Sequence, residues 1–351
     1  MPSTSLTRIL RPSRRTTVLA AAAVGALALT LTGCTSGSPT ASTGGDNSSA
    51  GGGEGVTIAI MGGAPDDPFW STVKRGAEAA ADGVEAAGGE VKFVSMPNYD
   101  NFDADAAKLV ASMNAMDADA VIVPDWSPDA QNENIKAISS AGIPVIIYNA
   151  GQSAAEEVAA SLYIGSDDYK AGLAGGAELA AQGAQHILCV NTLPGTTNSE
   201  ARCKGVIDGA TEGGSSAEAL NLPSSQFGDP SAVTQAIKGG LIQDSTVDGL
   251  ITIGSTDADS AAAGISQAGS DGKVKLGTFD VSSASLDRIK AGTQLFSIDQ
   301  QPYAQGYYAV STAFQLAAYG IALPEDLLTG PALITSDNID LALSGTELGV
   351  R

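Results

Sequence analysis

The chain has 351 residues, with 39 acidic side chains against 18 basic ones, a net charge of −21, and 43% hydrophobic residues. That much apolar content is enough for a packed core, while an acidic body of this size repels phosphate backbones, so nucleic acid is excluded as a partner. A single histidine and three cysteines leave too few soft ligands for a structural zinc centre, and neither a metal nor a cofactor is expected.

The first segment carries Arg8, Arg11, Arg14 and Arg15, then an apolar run from Val18 to Leu31, then Leu31-Thr32-Gly33-Cys34. A basic start, a short apolar stretch and a small-residue ending make an export signal, in preference to a membrane-spanning helix. The ending resembles a lipobox, the cleavage site of bacterial lipoprotein signal peptides. The resemblance implies removal of residues 1–33 and a diacylated Cys34 holding the protein to the outer face of the cytoplasmic membrane. Arg14-Arg15 leaves the Sec and twin-arginine routes both open. Loss of the leader removes four positive charges from the −21 and takes the net charge to about −25. Residues 34–55 are nearly all Ser, Thr, Gly, Ala, Pro and Asn, the composition of a flexible tether.

From Val56 onward, short β-branched runs alternate with amphipathic segments. A strand from Val56 to Met61 leads into Asp66-Asp67-Pro68-Phe69-Trp70, and Trp70, Val73, Ala77, Ala80 and Val84 then recur at helical spacing. Pro68 suits the first turn of that helix. Strands follow at Val91 to Val94, Ala120 to Val123 and Pro144 to Tyr148, with helices around Leu109 to Met116 and Ile135 to Ile138 between them. After a loop near Ala154 the same beat resumes. Strands fall at Leu162 to Ile164, Ile187 to Val190, Ala217 to Leu222, Gly249 to Ile253, Val274 to Phe279 and Leu295 to Ile298, and a long helix runs from Tyr303 to Tyr319. Such alternation predicts parallel sheets wrapped by helices, as two successive α/β units or as one larger doubly wound sheet.

Several strands end in polar residues: Asp66 and Asp67, Asp125 with Trp126, Asn149, Asn191, Asp280, and Asp299-Gln300. Open α/β sheets bind ligands at the carboxyl ends of their strands, and hydrogen-bonding groups beside rings suit the hydroxyls and C–H faces of a small polyol. Each such residue alone is equally a turn or cap. Cys189 and Cys203 are expected to pair in an exported protein, with free buried thiols the alternative. His186 takes an ordinary packing or surface position.

These motifs, in this order, resemble the type I periplasmic solute-binding proteins of sugar ABC importers, the ribose-binding-protein-like group, over nearly the whole body from Val56. Asp66-Asp67-Pro68-Phe69-Trp70 is similar to that family's Asn-Asn-Pro-Phe-Phe, which implies that Asp67 bonds sugar hydroxyls while Phe69 and Trp70 stack. Val145-Ile146-Ile147-Tyr148-Asn149 resembles a strand ending in a ligand contact, here Asn149. The segment Gly195 to Gly205 looks like the loop and helix whose Arg, three residues before a Gly, reaches the sugar, here Arg202. Thr278-Phe279-Asp280 corresponds to Gly-Phe-Asp, making Asp280 a ligand carboxylate, and Asp299-Gln300-Gln301-Pro302-Tyr303 resembles a hinge whose Gln300 faces the cleft. Ala150 and Gly254-Ser255-Thr256-Asp257 depart from the ribose-type pattern, and Phe227 stands near the place of a further aromatic.

The fold the resemblance implies is α/β: two doubly wound parallel-sheet lobes joined by a three-crossing hinge, the type I periplasmic-binding-protein fold. Residues 56–165 plus 301–331 would form the N-terminal lobe and 166–300 plus 332–351 the C-terminal lobe. The function implied is that of a monomeric, non-enzymatic lipoprotein that captures a sugar or polyol and delivers it to an ABC permease. The alternatives are a sugar sensor presenting its ligand to a receptor, and a secreted glycosidase using a pair drawn from Asp66, Asp67, Asp280 and Asp299. No Gly-x-Ser-x-Gly or phosphate-loop motif supports a triad hydrolase or an ATPase, and no basic helix-turn-helix precedes Val56.

Overall fold

A computed structural model describes residues 55–351. The leader, Cys34 and nearly all of the tether lie outside the described residues. In order, the first half runs β1 (Thr57–Gly62), α1 (Pro68–Ala86), β2 (Glu90–Ser95), α2 (Phe102–Met113), β3 (Ala120–Val123), α3 (Pro128–Ser140), β4 (Val145–Tyr148) and β5 (Leu162–Ser166). The second half repeats the plan with α4 (Asp168–Ala181), β6 (His186–Asn191), α5 (Thr197–Glu212), β7 (Ser216–Asn221), α6 (Pro230–Gln243) and β8 (Gly249–Thr252). It continues with α7 (Ser255–Gln267), β9 (Lys275–Phe279), α8 (Ser283–Ala291) and β10 (Phe296–Asp299). Then come α9 (Pro302–Tyr319), β11 (Leu327–Gly330), β12 (Ala332–Thr335) and α10 (Ile339–Glu347).

The strands form two six-stranded sheets, ordered β11-β5-β4-β3-β1-β2 and β12-β10-β9-β8-β6-β7. This decides between the two architectures that periodicity leaves open. Every pairing is parallel except that of β10 with β12. The order reverses at β1 in one sheet and at β6 in the other, which places a crevice at the carboxyl ends of each. Central strands β3, β4, β8 and β10 are buried along their whole length because helices cover both faces, so they read as continuous apolar runs.

Helix α1 buries Trp70, Val73, Ala77, Ala80 and Val84, the stripe that its spacing predicts. Helices α4 and α5 meet at glycines: a Cβ on Gly172 would lie 2.1 Å from the Arg202 carbonyl oxygen, and one on Gly205 2.2 Å from the Tyr169 carbonyl oxygen. Only the missing side chains permit that approach. Cys189 on β6 and Cys203 on α5 are bridged, with Cα atoms 5.5 Å apart. His186 opens β6 with its Nδ1 2.9 Å from Thr246 Oγ1. Helix α7, strands β11 and β12 and helix α10 are additions to the elements read from the sequence. Helix α7 is mostly small residues, and its buried stripe of Ala258, Ala261, Gly264 and Ile265 carries a single large apolar side chain.

Candidate functional site

The carboxyl ends of the two sheets face one another across a cleft, and the same local design supplies its polar groups from each side. β4 ends at Asn149 and β9 at Asp280, and both residues adopt left-handed backbone, with φ of 63° and 66°. Asn and Asp accept this conformation more readily than most residues. At each strand end the chain turns sharply and sets a short polar side chain at the cavity wall.

On the first lobe Asp67 closes the loop after β1. Its Oδ1 accepts from Phe69 N–H at 2.9 Å, capping α1, and its Oδ2 accepts from the Tyr99 hydroxyl at 2.7 Å. On the second lobe Arg202 is 4% exposed yet lines the cavity. Its Nε donates to Asp168 Oδ1 and its Nη1 to the Ile253 carbonyl, both at 2.8 Å, and the guanidinium lies 4.7 Å from the centre of the Phe279 ring. Gln300, between β10 and α9, donates its Nε2 to Asp280 Oδ1.

These groups, with Asn149, border one cavity of about 690 Å³ of atom-free space, its open mouth included. Its aromatic walls are Phe69, Trp70, Tyr99, Phe102 and Trp126 from the first lobe and Phe227 from the second. Gln300 Oε1 and Asn198 Oδ1 are buried and have no protein partner. Buried acceptors without donors are costly, so these two atoms await a group that brings its own protons.

Burial pushes the carboxyl of Asp280 up to about 7, against the opposing influence of Arg202, and that of Asp257 up to about 6. Asp67 is raised by burial too, although its hydrogen bond from Tyr99 works against this. For Arg202, burial would lower the pKa, and Asp168 and Asp280 together outweigh it. The Arg202–Asp168 pair is close to charge-neutral, so the rest of the site is acidic and rich in acceptors.

Asp67, Phe69, Trp70, Asn149, Arg202, Asp280 and Gln300 therefore all border the same cavity. Trp70 shares its ring with the core, at 7% exposure and with edge contacts to Trp126 and Tyr148. Of the other strand-end residues, Trp126 also lines the cavity, while Asp66, Asp125, Asn191 and Asp299 do not, and each of these has a local reason. Asp66 is exposed, and Asp125 is fully buried away from the cavity lining. The Asn191 amide is taken up by Glu200 and the Leu193 N–H, and Asp299 caps Gln301 N–H beside Arg351. Tyr99 and Phe102 were not anticipated, nor was Asp168 as the partner of Arg202. Asp257 also borders the cavity, its Oδ2 accepting from Thr192 Oγ1 at 2.8 Å; the departure at Gly254 to Asp257 was its one signal.

The lobes are closed on each other. Thr197 of α5 donates its N–H to the Trp126 carbonyl at 2.9 Å and its hydroxyl to the Asp125 carbonyl at 2.8 Å. The rings of Tyr99 and Phe227 meet at 4.8 Å, and Arg75 Nε of α1 donates to the Gly349 carbonyl at 2.7 Å.

Residues 58–321 match the family described as periplasmic binding protein domain. A xylose/arabinose-binding protein of Sulfolobus acidocaldarius is 27% identical over 254 residues, which cover 67% of this chain and 62% of that protein, so the match spans under two thirds of the relative's length. Among solved structures, a carbohydrate transporter of Acidothermus cellulolyticus in complex with myo-inositol is 31% identical, with a TM-score of 0.76 over 85% of this chain and 100% of that one. A glucose-galactose binding protein of Geobacillus stearothermophilus shares the fold, with a TM-score of 0.72 at 20% identity over 82% of this chain and 99% of that one.

Proposed function

This chain belongs to the periplasmic binding protein family, and from that premise we propose that it captures a sugar or polyol between its lobes and delivers it to an ABC permease. The observation that carries the reading is the cavity itself. Carboxylates, amides and one guanidinium from both lobes converge on it beside six aromatic rings, and two buried acceptors there lack donors. A polyol answers each feature: its hydroxyls donate to the acceptors and its C–H faces lie on the rings. The family's activity is binding, and the carboxylates act as hydroxyl acceptors, not as a glycosidase pair. The relative with myo-inositol makes a cyclic polyol the first probe for this cavity.

The roles of Asp67, Asn149, Arg202, Asp280 and Gln300 as polar contacts, and of Phe69 and Trp70 as stacking rings, are part of this proposal. So are lobes of 56–165 plus 301–331 and 166–300 plus 332–351, and a monomeric state in which the closed form docks on the permease. We further propose that residues 1–33 are cleaved and that a lipidated Cys34 tethers the protein through residues 34–55. A thermal-shift screen of the purified protein against pentoses, hexoses and inositols tests the binding reading, because a ligand held only by the native state raises its melting temperature. A clear upward shift with one or a few of them is expected; no shift with any contradicts the reading. Labelled fatty acid should enter the wild-type protein in cells and not Cys34→Ala.

A further inference from the structure

Gln305 lies in the first turns of α9, is fully buried, and is not among the residues that border the cavity. It is nonetheless bonded toward two that do. Its Nε2 donates to the main-chain carbonyl of Gln300 at 3.1 Å, and its Oε1 accepts from Asn149 Nδ2 at 3.2 Å. A backbone carbonyl can only accept, so the Gln305 amide has one allowed orientation: nitrogen toward Gln300, oxygen toward Asn149. Asn149 must then turn its own nitrogen to Gln305, and its Oδ1 is the atom left for a ligand. The side chain of Gln300 holds its Nε2 on Asp280 and leaves its Oε1 buried without a partner. Thr329 Oγ1, just before the next crossing, donates to the same Gln300 carbonyl at 2.8 Å and holds it in place. The run Asn149, Gln305, Gln300, Asp280 thus leads from the end of β4 in one sheet, through the hinge, to the end of β9 in the other.

We propose that Gln305 is a positioning residue of the cleft. Without touching the ligand, it fixes Asn149 as a hydrogen-bond acceptor and ties that setting to the Gln300–Asp280 pair across the hinge. The site is then selective for ligands that offer hydroxyl protons to both lobes, and a ligand atom that only accepts is rejected opposite Asn149. The proposal rests on the reading of the cleft as a polyol site, but its structural half is tested without any ligand.

The first test is side-chain amide NMR on the ligand-free protein, with the signals of Asn149 and Gln305 assigned by their loss in Asn149→Asp and Gln305→Leu. The Asn149 amide protons are expected to exchange slowly with solvent in the wild type and at least about tenfold faster in Gln305→Leu, since an amide in a satisfied buried network is protected. Gln305→Met, closer in volume, gives the same comparison should Gln305→Leu fail to fold. Unchanged exchange at Asn149 in the folded variant overturns the proposal. The second test is calorimetry with myo-inositol and the set of its monofluoro-deoxy analogues, in which fluorine accepts but cannot donate. Wild type should penalise one analogue most, and that penalty should fall at least about tenfold in Gln305→Met as the freed Asn149 amide turns to donate. An undiminished penalty also overturns the proposal. Failure of wild type to bind any inositol or other sugar removes the polyol reading alone, because the exchange result stands independently.

Discussion

Arg202 is the single cation at a wall of carboxylates and amides, and its orientation is set before any ligand arrives. Asp168 and the Ile253 carbonyl take two of its donors, and the Phe279 ring supports its face, so a ligand meets a guanidinium that has little freedom left to lose. Arg202→Ala and Asp280→Ala should each weaken binding of the best sugar from the thermal screen by more than about 1.5 kcal/mol, because each removes a charged hydrogen-bond partner. Calorimetry checks this, and wild-type affinity in both variants contradicts the site assignment. Asp125 makes a different prediction. It is fully buried, neither oxygen is bonded, and burial, with Glu157 adding to it, pushes its carboxyl up to about 7 from an ordinary 3.8. Asp280 and Asp257 are raised in the same direction. A carboxyl whose folded pKa exceeds its unfolded one holds an extra proton in the native state between the two values, so stability falls as pH rises from about 4 to about 7. The melting temperature of the ligand-free protein is expected to decline across that window, and Asp125→Asn should flatten the decline. A flat wild-type profile, or a variant with the same slope, would count against it.

At the level of elements, the cleft depends on how closely helices pack behind it. A Cβ on Gly172 would lie 2.1 Å from the Arg202 carbonyl oxygen, so the close α4–α5 crossing sits at the backbone of the cavity-lining arginine, and the Cys189–Cys203 bridge ties the next residue of α5 to β6. Gly172→Ala should force the helices apart, destabilising the protein by about 1–3 kcal/mol and lowering sugar affinity although no cavity atom has changed. Urea unfolding and calorimetry on the same variant measure the two effects, and normal values of both would mean that α5 adapts freely. Elements and site were legible in the sequence to different depths. Asn149, Asp280 and Gln300 stood out as candidates because β-branched runs mark the strands and these residues follow where the runs end, and Asp67 because it lies in the loop between β1 and α1; their selection as one ligand set came from the family resemblance. Asp168 could not, because it opens α4 as an ordinary acidic first-turn residue and acquires its role from Arg202, 34 positions away. Gln305 was hidden for a related reason: a glutamine in a helix reads as solvent-facing until the partners around it are known. Tyr99 and Phe102 sit beyond β2, an edge strand without a fully buried residue, where no periodic signal leads into the loop. Helix α7 escaped because its buried stripe is almost all small residues, with Ile265 the one large apolar side chain in it.

The described residues form two similar sheets whose carboxyl ends share one cleft, so a ligand that bonds Asp67 and Asn149 on one side and Arg202 and Asp280 on the other favours the closed arrangement over the open one. Only such two-sided contact gives differential affinity for closure. Thr197 on the Asp125 and Trp126 carbonyls, and Phe227 against Tyr99, are contacts between the lobes that closure makes available. Without a ligand, the raised carboxyls of Asp67, Asp257 and Asp280 are brought toward one another in that state, which opposes it; donated hydroxyl protons relieve the opposition. Small-angle X-ray scattering of the protein titrated with the sugar that gives the largest thermal shift tests this account most directly. The radius of gyration should fall to a plateau as the sugar saturates the protein, and Asp280→Ala should need more sugar to reach it. A radius that stays constant while the same sugar demonstrably binds would contradict capture by closure between the lobes.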